Sequence, residues 1–184
     1  AREAKLLTQA MAERMIDAAT PEESYKTLLE CGYAPLERCT LENVEHALSQ
    51  ARRELYREVS VLAPDKRIVE LFQVKYDYHN AKLALKSKRS GEDVSRLAMD
   101  CGRVDAQKVL RGETSAVSAA MSRAMAQAES EVGHSGDLRM AELLLDRACY
   151  EEMSALASET GSTFLKDYVA LQIDAVNLRT LVRA

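Results

Sequence analysis

An all-α fold made of few, long helices is what this sequence predicts, on three observations. Turn-forming residues are scarce, with seven Gly and three Pro in 184 residues. Aromatics are scarce as well, with seven Tyr, two Phe and no Trp. Sandwiches and barrels need a turn signal every ~8–12 residues, which this chain does not supply. Third, helix caps followed by apolar residues at helical spacing recur along the whole sequence. A hydrophobic content of 47% is too high for a disordered chain and enough to bury a core. The net charge of −4 and the pI near 5.5 argue against a nucleic-acid partner, since such domains usually have a pI above ~9.

Each element has its own signal. A first amphipathic helix is predicted over Glu3–Ala18, with Leu6, Leu7, Ala10, Met11, Met15 and Ala18 on one side. Thr20-Pro21-Glu22-Glu23 reads as a capping box with Pro at the first helical position, opening a second helix that stops at Gly32. Tyr33–Cys39 is a loop. Thr40 caps a third, long helix ending near Leu62, just before Pro64. The fourth helix is predicted over Pro64–Lys88. It is apolar on two sides, Ile68, Phe72, Tyr76 and Leu83 on one and Leu71, Val74, Tyr78, Ala81 and Leu85 on the other, as a helix between neighbours would be.

Ser90-Gly91 breaks that helix. Short helices are predicted over Glu92–Met99 and Asp105–Leu110, then a packed, Ala-, Ser- and Met-rich helix over Thr114–Glu131. Gly133-His134-Ser135-Gly136 reads as a loop. Asp137 caps a long helix to Thr160, Gly161 ends it, and Ser162 or Thr163 caps a last helix through Ala184.

No chemistry-bearing constellation stands out. Cys31, Cys39, Cys101 and Cys149 form no C-x-x-C pair and read as free thiols. No Gly-rich loop follows a strand, so neither a P-loop nor a dinucleotide fingerprint is present. A di-iron bundle needs Glu-x-x-His on two helices, and the residues three before His46 and His79 are Asn43 and Tyr76. Glu42 and His46 share a helix face but read as a surface contact. His79 reads as a hydrogen-bonded core histidine, and His134 as a loop residue. No catalytic residue, metal ligand or cofactor site is predicted. No run of ~18 apolar residues spans a bilayer.

An internal repeat is the most informative pattern. Asp77-x-x-Asn80-Ala81-Lys82 returns as Asp174-x-x-Asn177-Leu178-Arg179, and the same offset puts Thr40 on Asp137 and Pro64 on Gly161. Caps and breakers thus fall in register, which divides the chain into repeat units 1–90 and 91–184, each carrying a long helical hairpin. Asp and Asn are poor interior helix residues because they compete for backbone hydrogen bonds. Two of them, three apart on one face in both copies, point to side chains that bond a neighbouring helix end or loop and fix the geometry of the hairpin. Tyr76, Asp77, Asn80 and Lys82, with Asp174, Asn177 and Arg179, form this structural signature.

The segment from Leu71 to Lys82, continued by Leu85-Lys86-Ser87-Lys88, resembles the C subunit of the prokaryotic V-type (A/V-type) ATPases, whose eukaryotic counterpart is the d subunit. The second copy, Leu165 to Thr180, resembles it more closely, and the opening from Glu3 through Tyr33 is similar to the family's N-terminal region. The resemblance implies helical units around a pseudo-threefold axis forming a funnel, of which two of three are present here, the third being absent from this chain. It also implies a non-catalytic central-rotor subunit with no cofactor. Such a subunit rests peripherally on the cytoplasmic face of the membrane proteolipid ring, holds the D- and F-type central-stalk subunits, and passes torque between stalk and ring so that protons or sodium ions move. A helical adaptor or scaffold of another assembly is the alternative that repeat architecture alone would allow.

Overall fold

The structure is a computed structural model, and it describes residues 6–183. Every regular element among them is helical: α1 (Gln9–Ile16), α2 (Pro21–Glu30), α3 (Leu41–Leu62), α4 (Lys66–Ser90), α5 (Ala106–Leu110), α6 (Ala119–Ser135), α7 (Leu138–Glu159) and α8 (Thr163–Arg183). Short 3₁₀ turns occupy Ser95–Leu97 and Thr114–Ala116. The chain divides into two compact units, Ala1–Glu58 and Val59–Ala184.

Capping chemistry sets the helix starts. The Thr20 hydroxyl accepts from Glu23 N at 3.2 Å, while the Glu23 carboxylate reaches back past the cap to accept from Ala19 N at 3.1 Å. Asp65, one residue beyond Pro64, caps α4, and Asp137 caps α7 by accepting from Arg139 N and Met140 N. Thr8 caps α1, so that helix starts later than the predicted Glu3; residues 1–5 lie outside the described set. The predicted helix over Glu92–Met99 is a loop with a single 3₁₀ turn. The predicted loop at Gly133–Gly136 is instead the last turn of α6. There His134 Nδ1 donates to Ser130 O and Ser135 Oγ donates to Glu131 O, and Gly136, at φ 68°, closes the helix in the left-handed region that glycine enters without strain.

In the first unit, α1 and α2 pack together. Arg14 donates to Glu30 Oε2 at 2.6 Å and to Thr27 Oγ1 at 3.3 Å, and Tyr25 OH anchors the loop after α2 by donating to Ala34 O at 2.7 Å.

The second unit holds the main core. Along α7, Ala141, Leu145, Cys149, Met153 and Ala157 recur every fourth residue and are all buried. Such a row is a ridge that packs into the groove of a neighbouring helix. On one side it meets α6, whose small buried residues Ala124 and Ala128 allow a close approach. On the other it meets Leu71, Val74, Tyr78 and Ala81 of α4. The α4–α7 pairing is antiparallel, as its polar rungs show. Tyr78 bonds Glu152, Lys82 Nζ meets Asp146 at 2.7 Å, and Lys86 Nζ meets Glu142 at 2.6 Å. The α8 helix runs parallel to α4, with Tyr168 against Phe72 at 5.4 Å between ring centroids and Gln172 accepting from Lys75 Nζ at 3.2 Å.

Lys75 and Gln172 lie 97 positions apart. The same spacing relates the first residues of α3 and α7, Leu41 and Leu138, their last residues, Leu62 and Glu159, and the first residues of α4 and α8, Lys66 and Thr163. The helix bounds repeat to the residue.

Candidate functional site

Several polar side chains of α4 turn toward one loop. Gln73, Asp77 and Asn80 recur at i, i+4 and i+7, so they share a face of the helix. Asp77 and Asn80 have no exposed surface. A carboxylate and a carboxamide in such a place must find partners, because burying an unpaired polar group costs roughly 1–3 kcal/mol, and more when it is charged.

Both find them in the chain that follows α4. Asn80 behaves as a stand-in peptide group: its Nδ2 donates to Met99 O at 2.9 Å and its Oδ1 accepts from Met99 N at 2.9 Å. Asp77 Oδ2 accepts from Arg103 Nε at 2.7 Å, and its Oδ1 accepts from Val104 N at 3.2 Å. Gln73 Nε2 donates to the carbonyls of Cys101 and Gly102, each at 3.3 Å, and His79 Nε2 donates to Leu97 O at 3.1 Å. Four side chains of one helix thus hold the loop by its backbone and by one arginine.

Gly102 is required by space. A Cβ at this position would collide with Asp77 Oδ1, so the loop or the carboxylate would have to shift. Arg103 extends the network across the core. Its Nη1 donates to Glu152 Oε1 on α7 at 2.8 Å. Glu152 Oε2 accepts from Tyr78 OH at 2.9 Å and from Ser118 Oγ at 3.1 Å. Ser118 is also the N-cap of α6. One buried network therefore fixes α4, the loop, α7 and the start of α6. Among the described residues no buried side-chain polar atom lacks a partner.

Electrostatics follows from burial. Loss of water raises the Asp77 carboxyl above its usual range, with Arg103 and the loop amides pulling the other way. Burial opposes the charge on Arg103 too, but its bonds to Asp77 and Glu152 outweigh this and raise its pKa. Burial and the adjacent Glu152 raise the Tyr78 phenol. Burial pushes the Cys149 thiol up to about 12, so it stays protonated and unreactive at neutral pH. All four cysteines are free thiols.

Of the other signature residues, Tyr76 is half-buried and Lys82 forms the rung to Asp146. The second copy has different surroundings. Asp174, Asn177 and Arg179 on α8 are exposed, and Asp174 and Asn177 have no hydrogen-bond partner among the described residues. Arg103, Gly102 and Glu152 are not legible from the repeat. In the sequence Gly102 marks only a break between short helices, and Glu152 is one of many helix-face carboxylates.

The network's carboxylates are engaged, Asp77 by Arg103 and the Val104 amide, and Glu152 by Arg103 and the hydroxyls of Tyr78 and Ser118. Among the described residues no group of three His, Cys, Asp or Glu is placed to hold a metal ion. A cleft of about 300 Å³ lies between α4, α6 and the turn after α5, but of its charged side chains Lys88 and Glu129 pair with each other at 2.9 Å and Arg111 pairs with Glu113 at 2.8 Å.

Known proteins resemble this chain along its whole length. The family model described as ATP synthase (C/AC39) subunit matches residues 1–184. The chain is 24% identical over 187 residues to the C subunit of the V-type sodium ATPase of Enterococcus hirae, covering 99% of this chain and 57% of that protein. It is 27% identical over 154 residues to the C subunit of the V-type ATP synthase of Thermus thermophilus, covering 76% of this chain and 46% of that one. The chain therefore spans about half the length of the curated relatives it matches. No solved structure matches at a significant level.

The network makes stability sensitive to one glycine and to pH. Gly102→Ala forces the loop away from Asp77 and should lower unfolding free energy by about 1–3 kcal/mol in urea titration, more than Gly133→Ala, which meets nothing within 4 Å. With its pKa raised by folding, Asp77 holds a proton in the native state to higher pH than in the unfolded chain. Its contribution is complete below the unfolded value and declines as pH rises through the folded one. The stability of the parent relative to Asp77→Asn should therefore fall as pH rises above about 4, the ordinary carboxyl range of the unfolded chain, in paired urea titrations.

Proposed function

This chain belongs to the ATP synthase (C/AC39) subunit family, and we propose that it acts as a non-catalytic central-rotor subunit of a V-type ATPase or ATP synthase. In this role it sits peripherally on the cytoplasmic face of the membrane. It joins the D- and F-type subunits of the central stalk to the proteolipid ring and passes torque between them, so that proton or sodium-ion movement is coupled to ATP turnover elsewhere in the complex.

The observation that carries this reading is the family match over residues 1–184. Physical features agree with it. A torque-bearing element must resist shear, and close-packed helices do so because protein interiors have crystal-like density. The α4–α7 pairing adds three cross-helix polar rungs, and the buried network ties the connecting loop to both helices. No described helix is long and apolar enough to cross a membrane, in keeping with contact to the ring's exposed loops. The role asks for no cofactor and no reactive side chain.

The test is reconstitution. Purified chain mixed with the stalk subunits, and separately with detergent-solubilised proteolipid ring, should co-elute with at least one of them on size exclusion. A chain that is folded by circular dichroism and elutes alone in both mixtures contradicts the proposal.

A further inference from the structure

The two copies of the repeated signature are alike in sequence and opposite in environment. On α4, Val74, Asp77, Asn80, Ala81 and Leu85 are all buried. Shifted by 97 positions, the spacing that relates Lys75 to Gln172, these become Leu171, Asp174, Asn177, Leu178 and Val182 of α8. Every one of the five is exposed, with Leu171 at 65%, Leu178 at 64% and Val182 at 86%. A stripe of three large apolar residues flanking an Asp-x-x-Asn pair is a core-type face turned to water. It is expensive to leave uncovered, and on α4 the same pattern shows what covers it.

We propose that the face of α8 around Asp174 and Asn177 is a docking site for an extended, arginine-bearing peptide segment of the chemistry that residues 97–104 present to α4, supplied by polypeptide following residue 184 in a chain of the relatives' length. The chemistry of the occupant is set by the α4 precedent. Asp77 takes a guanidinium and the next backbone amide, and Asn80 takes both polar groups of one residue's backbone. Asp174 and Asn177 offer the same acceptor and the same carboxamide at the same spacing. A small residue must precede the arginine, because Gly102 is where the loop crosses Asp77. Charge agrees, since an exposed carboxylate selects a cation. A second copy is a poor source, because its own Arg103 loop already engages Asp77 and Glu152. The relatives, being about twice as long, have further chain to provide the segment.

The experiment uses the chain's own loop as the probe. Residue 184 corresponds to Ser87 in the repeat, so a copy of residues 88–113 appended after Ala184 continues the register. Limited proteolysis then compares this extended chain with three variants. These carry Asp174→Asn, Asn177→Leu, or alanine in the appended copy of Arg103. The appended segment should be cleaved at least about tenfold more slowly in the unsubstituted extended chain than in any variant. In the chain ending at Ala184, Asp174→Asn and Asn177→Leu should leave the thermal midpoint unchanged. Equal cleavage in all four extended chains overturns the proposal. So does protection that survives Asp174→Asn. A concentration-dependent dimer that shields α8 in the chain ending at Ala184 also overturns it, by assigning the face to a second copy.

Discussion

A carboxylate with no exposed surface, in the middle of a 25-residue helix, sets terms that the rest of the second unit must meet. Asp77 can be there only if donors replace the water it gives up. One donor is a backbone amide and the other is Arg103, itself mostly buried, so the arginine needs partners in turn. It has two, and the second carboxylate, Glu152, takes two hydroxyl donors to complete its own shell. Each link makes sense only with the next in place. A network of this kind is costly when half-satisfied and specific when complete. Because its members come from α4, the following loop, the cap of α6 and the middle of α7, completing it fixes those elements together.

Much of this is legible in the sequence, for reasons that differ by element. Helices opened by Thr20, Thr40, Asp137 and Ser162 are readable because capping is local: the side chain bonds an amide two or three residues ahead. The repeat exposes the paired Asp and Asn, since two poor helix formers in register stand out against a helical background. Their partners are not readable. Met99 is 19 positions from Asn80, Arg103 is 26 from Asp77, and Tyr78 is 74 from Glu152. Nothing local marks such pairs. The residues of Glu92–Met99 permit a helix, yet the segment is a loop with one 3₁₀ turn. Side chains of α4 take its peptide groups for themselves, so tertiary hydrogen bonds outweigh a weak local preference. The end of α6 is the opposite case. Gly133 and Gly136 look alike in sequence, yet one continues the helix and the other terminates it.

The arrangement bears on function through how its polar groups are used. Side chains that could act as base, acid or ligand are spent on holding a loop, and the thiol of Cys149 in the core is kept protonated by burial. Groups held in this way add rigidity, which suits the mechanical part proposed for a member of the ATP synthase (C/AC39) subunit family. The repeat makes the same point from another side. Its first signature copy is closed by a loop through Asp77 and Asn80, and its second presents the same groups to solvent.

If α4 holds the following loop through side chains and not merely by proximity, native-state hydrogen exchange at two amides shows it most directly. Met99 N donates to Asn80 Oδ1 and Val104 N donates to Asp77 Oδ1, although neither lies in a helix. Both should exchange with protection close to that of core amides in α4 and α7, opening only with the whole unit. Exchange at the rate of exposed loop amides at either position would contradict the role given to these side chains.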